Sequence, residues 1–220
     1  MKTIKYYMLF AVCLLATGLF TSCNSSDDNE VEVRYLTDAE KTLYKQAING
    51  NYSGYLLYFL PDDITRTLET KSLPVSWDVN ATTMQLTISN FPLEAIADVT
   101  RYTDLKEQLE KADPVNMTAK VEPVDPEFVK IIEMSYYRYY VTPESMKFTI
   151  NDKNITINFW VALYYPYTNT RYESIATVYN KTFTLPILIR DVHIDNNYYN
   201  IDEMMYLTND YTPKGTEEEK

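Results

Sequence analysis

Alternating apolar and polar residues are the dominant pattern in the chain after residue 50. Ile155, Ile157 and Phe159 alternate with Thr156 and Asn158, which is typical of a strand with one buried face. Ten segments are similarly rich in aromatic, threonine and β-branched residues. They are 52–59, 75–79, 84–89, 117–121, 131–141, 147–150, 155–164, 175–179, 182–195 and 203–207. Long parallel crossovers are absent, so we predict a mainly β fold of antiparallel sheets, forming a barrel-like or sandwich domain.

Helical periodicity is confined to short segments, which add a minor α component. Thr37 followed by Glu40 forms a capping box, and apolar residues repeat at helical spacing from there to Ile48. A weaker helix is predicted over 104–111, and residues 92–99 contain a turn or a further short helix. The sequence therefore predicts one or two short helices beside the sheets.

Polar turns separate the predicted strands and mostly use asparagine, aspartate and proline instead of glycine. Residues 151–154 give the clearest hairpin, and residues 80–83 give a second one. Pro186 interrupts a predicted strand, which indicates an edge, a bulge or a change of sheet. The units 75–90 and 146–159 are alike enough to leave open an internal duplication, with two β halves dividing near 113–125.

The N-terminal residues have the pattern of a lipoprotein signal. Lys2 and Lys5 precede an uncharged apolar stretch over 6–20, which is too short to span a bilayer comfortably. Small residues then lead to Cys23, the residue that a lipoprotein signal peptidase needs. We therefore predict a signal peptide over 1–22 and an acylated Cys23 that anchors the protein in a membrane. Ordinary cleavage before this cysteine and an uncleaved anchor are the alternatives.

Acidic, polar segments flank the predicted strands on both sides. Residues 23–34 have too little apolar surface to fold, so we predict a flexible tether there. The acids of this tether are Asp27, Asp28, Glu30 and Glu32. Residues 212–220 contain three consecutive glutamates and are predicted to be a disordered tail. A single β-rich domain is accordingly predicted over 35–211.

Composition and charge exclude several classes of function. The chain has 20 basic and 31 acidic residues and a formal net charge of −11, which argues against binding nucleic acid or an anionic membrane surface. It has one histidine, two cysteines and four glycines. It contains no phosphate-binding loop, metalloprotease helix or serine-hydrolase elbow. We expect neither a cofactor nor a metal.

Tyrosine is the most distinctive residue type, with 21 in 220 positions. Exposed rings stack on sugar faces or anchor a protein partner, because tyrosine combines contact area with a polar tip. A third interpretation is that the tyrosines are structural, because tyrosine favours strands and can be half-buried with its hydroxyl group in water. Neighbours on a strand point to opposite faces, so only alternate residues of a cluster share a surface. The candidate ligand-binding residues are Tyr137, Tyr139, Tyr165, Tyr167 and Trp160.

The single histidine, His193, lies between two aspartates at alternate positions. On a strand, Asp191, His193 and Asp195 share one face while Val192 and Ile194 point inward. Such a face suits a divalent ion or an oriented imidazole, but the carboxylates are about 7 Å apart and no nucleophile is near. We therefore expect a solvated polar face and no catalytic residue.

Three short motifs, following the capped helix, carry a resemblance to a known group of proteins. The motifs are Asn49-Gly50-Asn51-Tyr52-Ser53-Gly54-Tyr55, Val75-Ser76-Trp77-Asp78-Val79 and Leu86-Thr87-Ile88-Ser89-Asn90-Phe91-Pro92. They resemble small lipoproteins of gut Bacteroidetes that carry a domain of unknown function, some of which are calycin-like barrels. The resemblance covers the signal, the tether and about the first half of the domain. It implies that the acidic tether is an outer-surface export signal, and it supplies no catalytic residues.

These observations favour an outer-membrane lipoprotein, displayed on the cell surface, with a non-catalytic binding or scaffolding role. A glycan or a protein is the expected ligand, and a periplasm-facing orientation is the alternative. The alternative function is a carboxylate-dependent hydrolase of extracellular glycans, which needs two acids facing one cleft. The scarcity of histidine and cysteine favours binding over catalysis.

Overall fold

The structure, a computed structural model, describes residues 35–61, 68–124, 136–165 and 169–213. These residues contain three α-helices and twelve β-strands. The helices are α1 (Asp38–Ile48), α2 (Glu94–Val99) and α3 (Thr103–Leu109). The strands are β1 (Gly50–Pro61), β2 (Leu68–Asn80), β3 (Gln85–Phe91), β4 (Val115–Pro123), β5 (Tyr137–Pro143), β6 (Met146–Ile150), β7 (Lys153–Trp160), β8 (Ala162–Tyr165), β9 (Thr170–Glu173), β10 (Ile175–Tyr179), β11 (Thr182–Ile194) and β12 (Asn197–Thr208).

Eight of the strands close into an antiparallel barrel, which confirms the predicted mainly β fold. The order around the ring is β1-β2-β3-β4-β5-β10-β11-β12, and β12 pairs with β1 to close it. Alternate residues of the ring strands fill the interior, including Leu56, Trp77, Ile88 and Phe183. The barrel therefore encloses a packed aromatic and aliphatic core.

Strand β11 pairs with two different strands, one after the other, along one of its edges. Its first residues pair with β10, and from Leu188 onward it pairs with β7, which extends the sheet outward to β6. Pro186 lies between these two ladders, where its missing N–H interrupts neither pairing. The proline thus marks a change of strand partner within one sheet, not the change of sheet that was one of the three predicted arrangements. β8 and β9 form a separate two-stranded sheet.

The predicted hairpin at 151–154 is confirmed as the connection between β6 and β7. Asn151 and Asp152 have φ angles of 47° and 64°, the left-handed conformation that asparagine and aspartate tolerate best among non-glycine residues. Asn180 and Lys181 turn the chain in the same way between β10 and β11, with φ angles of 47° and 68°. Tight turns in this protein therefore need no glycine.

The helices agree with the predictions except in number. The capping box at the start of α1 is confirmed, with Thr37 Oγ1 accepting from the Glu40 N–H and Glu40 Oε2 accepting from the Thr37 N–H. The weaker predicted helix corresponds to α3. The third helix, α2, is predicted from the sequence only as a turn or a short helix. It has 6 residues, fewer than two helical turns, so its periodicity is too short to identify a helix.

An ionic network around Asp98 ties α2 and α3 to the barrel. The Asp98 carboxylate accepts hydrogen bonds from the Tyr58 hydroxyl and the Lys71 ammonium, both at 2.9 Å, and Lys106 lies 3.6 Å away. Burial alone would raise the pKa of Asp98, but these hydrogen bonds and lysine charges lower it. The helices thus join the barrel through a carboxylate that stays ionised.

Gly54 is the place where β1 and β12 approach most closely. A Cβ built on Gly54 would lie 2.2 Å from the carbonyl oxygen of Thr208, so no larger residue fits without a backbone shift. Gly50 has open space around it, but its φ of +148° is rarely adopted by other residues. The two glycines of the Gly-x-x-x-Gly segment therefore serve different physical needs.

Several strand boundaries differ from the predictions. β5 begins at Tyr137, and most of the earlier part of the predicted strand 131–141 lies outside the described residues. β12 begins at Asn197, six residues before its predicted start at 203. Its first half is rich in asparagine and aspartate, which are depleted in strands. Pairing with β11 overrides that propensity.

Candidate functional site

A cleft of about 670 Å³ lies between helix α1 and one end of the barrel. We call it the α1 cleft. It is lined by Leu43, Gln46, Ala47, Asn49, Gly50, Asn51, Tyr52, Ser53, Tyr137, Val178, Asn180, Lys181 and Asn209. Its volume falls in the range of small-molecule sites, and its lining mixes aromatic, aliphatic and amide side chains.

The floor of the α1 cleft is the ring of Tyr52, which rests on two buried aromatic rings that do not line the cleft themselves. The Tyr52 ring lies nearly parallel to the Trp77 ring at a centroid distance of 5.6 Å, and Phe183 packs against both. Trp77 is buried, and its Nε1–H has no hydrogen-bond acceptor among the described residues. The Tyr52 hydroxyl donates to the carbonyl oxygen of Ile48 at 2.8 Å. Burial raises the pKa of Tyr52, so it stays a neutral donor.

Tyrosines also fix α1 against the barrel. The Tyr139 hydroxyl donates to the carbonyl oxygen of Tyr44 at 2.6 Å, and burial raises the pKa of Tyr139. The Tyr44 ring meets the rings of Tyr137 and Tyr139 edge to face, at centroid distances of 5.1 and 5.4 Å. The helical wall of the α1 cleft is therefore held by one hydrogen bond from each of two strands and by ring packing.

Amide groups line the rim of the α1 cleft on both α1 and the barrel. Asn209 accepts from the Phe183 N–H at 2.7 Å and donates to the Lys181 carbonyl oxygen at 2.9 Å, so it stabilises the β10–β11 turn. The exposed amides of Gln46 and Asn51 make no hydrogen bond within the described part of the chain. These two amides are available to a ligand without breaking an internal contact.

A pair of stacked tyrosines stands beside the α1 cleft. The rings of Tyr136 and Tyr179 are 4.5 Å apart with an interplanar angle of 27°, and each side chain is 38% exposed. Their chain neighbours Tyr137 and Val178 line the cleft itself. Because strand neighbours point to opposite faces, the stacked pair lies on the outer surface next to the cleft.

The five candidate ligand-binding residues do not form one surface. Tyr137 lines the α1 cleft, but Tyr139 is fully buried in the core, where a surface ligand does not reach it. Trp160 is 36% exposed at the end of β7, outside the barrel ring, with Arg190 over its ring. Tyr165 ends β8, and Tyr167 lies outside the described residues. Only Tyr137 is therefore carried into the candidate site.

The histidine face differs from the expected solvated surface, because Asp191 is buried. Its carboxylate accepts from Asn158 at 2.6 Å and from the Arg190 Nε–H, and His193 Nε2 lies 3.1 Å away. Val192 and Ile194 point into the core, as the alternation indicated. Asp195 instead accepts from the Asn154 N–H at the end of the strand. Asp191 is thus a structural hydrogen-bond acceptor between β11 and β7.

A second cavity, of about 390 Å³, lies between the α2–α3 loop and β12. We call it the β12 cavity. It is lined by Val99, Thr100, Arg101, Asn200, Ile201, Asp202 and Glu203. Desolvation, with a smaller effect of the Asp202 charge, raises the pKa of Glu203 to about 7. The sequence offered only an acid- and amide-rich segment there, which fits no calcium-loop spacing and gave no candidate.

Comparison with protein families identifies the domain. Residues 47–194 match the family model described as "Domain of unknown function (DUF4840)". The chain belongs to the DUF4840 family. The DUF4840 match begins within α1 and ends with β11, so it includes the floor of the α1 cleft and excludes β12, the strand that closes the barrel. No curated protein and no solved structure matches the chain.

The described residues of this DUF4840 member contain neither a membrane-spanning helix nor a metal-binding cluster. In the parts of the chain that the structure describes, no helix is long and apolar enough to cross a membrane. No group of three or more histidine, cysteine, aspartate or glutamate side chains there is placed to hold a metal ion. Cys23 and the acids Asp27, Asp28, Glu30 and Glu32 lie outside the described residues.

Proposed function

We propose that this protein is a non-catalytic binding protein, anchored to the outer membrane by lipid on Cys23 and displayed on the cell surface. We further propose that its ligand is a glycan held in the α1 cleft. The observation that carries the proposal is the cleft itself, about 670 Å³ with an aromatic floor and unengaged amides at its rim.

The lining of the α1 cleft supports a ligand rich in hydroxyl groups. The amides of Gln46 and Asn51 each offer donors and an acceptor, which match the alternating needs of sugar hydroxyls. The outer rings of Tyr136 and Tyr179 provide apolar area for a sugar face beside the cleft. Lys181 is the one charged side chain among the described lining residues, so the cleft does not select for a highly charged ligand.

The competing hypothesis of a carboxylate-dependent hydrolase draws less support from this cleft. Glycoside hydrolysis uses two carboxyl groups facing one substrate. No carboxylate lines the α1 cleft among the residues that the structure describes. Asp202 and Glu203 instead line the β12 cavity, which is a different site.

Glycan binding is tested with the full-length protein on a glycan array, followed by calorimetry on the best ligand. We expect Asn51→Ala and Gln46→Ala each to weaken binding about tenfold, since each removes an exposed amide. Gln85→Ala is the matched amide control, because Gln85 is exposed on β3 and does not line the α1 cleft. Equal losses in the control and the cleft variants, or unchanged affinity in the cleft variants, would contradict the assignment of the site.

The aromatic contribution has its own matched pair of variants. Tyr179→Ala removes a ring beside the α1 cleft, whereas Tyr140→Ala removes a ring of similar exposure from the outer face of β5. We expect about a tenfold loss of glycan affinity for the first and no change for the second, because stacking on a sugar is local. If the ligand is a protein instead of a glycan, and it binds wild type and both variants with equal affinity, its interface does not include Tyr179 or Tyr140.

Membrane anchoring is tested separately from ligand binding. Cys23→Ala should release the protein from membranes, because acyl chains on this cysteine supply the proposed anchor. Replacing Asp27, Asp28, Glu30 and Glu32 by their amides should abolish protease accessibility on intact cells if they direct export. Membrane retention of the cysteine variant would contradict lipid anchoring, while surface exposure of the amide variant would contradict only the export signal.

A further inference from the structure

The β12 cavity brings two opposite charges to one small space. Arg101 comes from the loop between α2 and α3, and Glu203 comes from β12. No salt bridge joins them, and neither has another ion-pair partner in the described part of the chain. The cavity therefore presents a cation and an anion that do not neutralise each other.

The carboxylate of Glu203 lacks internal compensation. It is partly withdrawn from water, and the described residues provide no hydrogen bond to it. The neighbouring Asp202 charge adds repulsion to the cost of desolvation. A desolvated carboxylate in this position gains stability from a positively charged partner inside the cavity.

Arg101 is held in place by its neighbour. Its Nη2 donates to the Tyr102 hydroxyl at 3.2 Å, and its Cζ lies 5.3 Å from the centroid of the Tyr102 ring. These contacts use the ring and one donor, while the guanidinium has five N–H donors in a fork that matches a carboxylate. The remaining donors can bind a carboxylate inside the cavity.

A bulge in β12 places consecutive acidic residues on the same cavity. The register with β11 shifts in this region, and Asp202 has a φ of 50°. The Asp202 carboxylate accepts from Trp160 Nε1 at 2.9 Å and from Asn200 Nδ2 at 2.6 Å. These two hydrogen bonds hold the Asp202 side chain at the edge of the cavity. The Glu203 carboxylate makes no such bond within the described residues and can interact with a ligand.

We propose that the β12 cavity binds a compact zwitterion of the α-amino acid class, with its ammonium on Glu203 and its carboxylate on Arg101. A neutral ligand would leave both protein charges uncompensated, and a ligand of single charge would leave one. A zwitterion compensates both at once. This site is separate from the α1 cleft and does not depend on glycan binding there.

The full-length protein is tested at about pH 8, where Glu203 is mostly ionised. A thermal-shift screen of the standard L-amino acids identifies the best ligand, and calorimetry measures its affinity. Its methyl ester, which keeps only the ammonium, and its N-acetyl derivative, which keeps only the carboxylate, should each bind at least about tenfold more weakly.

Two charge-neutralising variants assign each contact. Glu203→Gln should weaken the amino acid and the ester at least about tenfold and leave the N-acetyl derivative unchanged. Arg101→Gln should weaken the amino acid and the N-acetyl derivative and leave the ester unchanged. Glu107→Gln and Lys111→Gln, at exposed positions of α3 and the turn after it, are matched controls with unchanged affinity.

Three outcomes would overturn this proposal. The first is that none of the amino acids binds, and the second is that both variants bind like wild type. The third is hydrolysis: release of reducing ends from a glycan mixture that is lost in Glu203→Gln would make Glu203 a general acid instead. None of these outcomes alters the glycan-array result for the α1 cleft.

Discussion

Replacing Glu203 by glutamine should stabilise the protein above neutral pH and have little effect in mild acid. The carboxyl group has a pKa of about 7 in the folded protein, against an ordinary value of 4.5 for a glutamate in water. Between these values the folded state binds more protons at this site than the unfolded state. Stability contributed by this group therefore falls as pH rises from about 4.5 to about 7. A glutamine at position 203 stays neutral at every pH, so the variant does not lose this stability as the pH rises.

The magnitude follows from the two pKa values. A shift of one pKa unit corresponds to 1.36 kcal/mol, so a fully realised difference would be about 3 kcal/mol. Glu203 is only partly buried, and water screens part of the effect. We therefore expect the variant to be more stable than wild type by about 1–2 kcal/mol at about pH 8.

Urea unfolding followed by circular dichroism, at several pH values from about 4.5 to about 8, measures this difference directly. Other titrating groups cancel in the comparison, because both proteins contain them. Glu107→Gln serves as the control, since Glu107 is exposed on α3. A stability difference that does not change across this pH range, or a variant less stable than wild type at about pH 8, would refute the reasoning.

Three further changes test the fold by denaturant unfolding at neutral pH. Gly54→Ala should destabilise the barrel by at least about 2 kcal/mol, because the added Cβ meets the β12 backbone. Gly50→Ala should cost about 1 kcal/mol, because only its φ angle is unfavourable for alanine. Equal costs of the two substitutions would contradict this difference. Asp98→Asn should lower the stability by about 1 kcal/mol at neutral pH. This stability difference should shrink below about pH 4, where wild-type Asp98 loses its charge. A difference that persists below about pH 4 would contradict the ionic role of Asp98. Tyr139→Phe should cost about 1 kcal/mol because it removes the hydrogen bond to the Tyr44 carbonyl oxygen of α1. Unchanged stability would contradict a stabilising role for that hydrogen bond.

The capped helix and the antiparallel strands could be predicted because their signals are local. The capping box at Thr37 and Glu40 needs only residues three positions apart, and the hairpin at Asn151 needs only a polar turn between two alternating runs. Closure of the barrel has no such signal, since β1 and β12 are separated by most of the chain. Both a barrel and a sandwich therefore fitted the same pattern.

The candidate binding residues show the limit of alternation as a guide. In the cluster from Tyr136 to Tyr140, four of the five residues are tyrosine, so no contrast between apolar and polar residues tells which face is buried. The structure buries Tyr139 and exposes Tyr136 and Tyr140. Tyr137 lines the α1 cleft, and its role in ligand binding stays a prediction.

The β12 cavity was missed for a different reason. Asp202 and Glu203 are neighbours, and a regular strand would place them on opposite faces. The bulge and the left-handed Asp202 bring both to one cavity, and a bulge leaves no mark in a single sequence. Arg101 lies about a hundred positions away, so only the tertiary fold brings the opposite charges together.

The order of strands in the ring has a consequence for biosynthesis. β1 is the first ring strand to be made, yet one of its two neighbours is β12, the last strand of the domain. A chain emerging from its N-terminus therefore carries an unpaired β1 edge until nearly all of the domain is present. Unpaired edges recruit other strands, so we expect the incomplete chain to be prone to aggregation until its final segment arrives. A truncation before β12 would make that vulnerable state permanent.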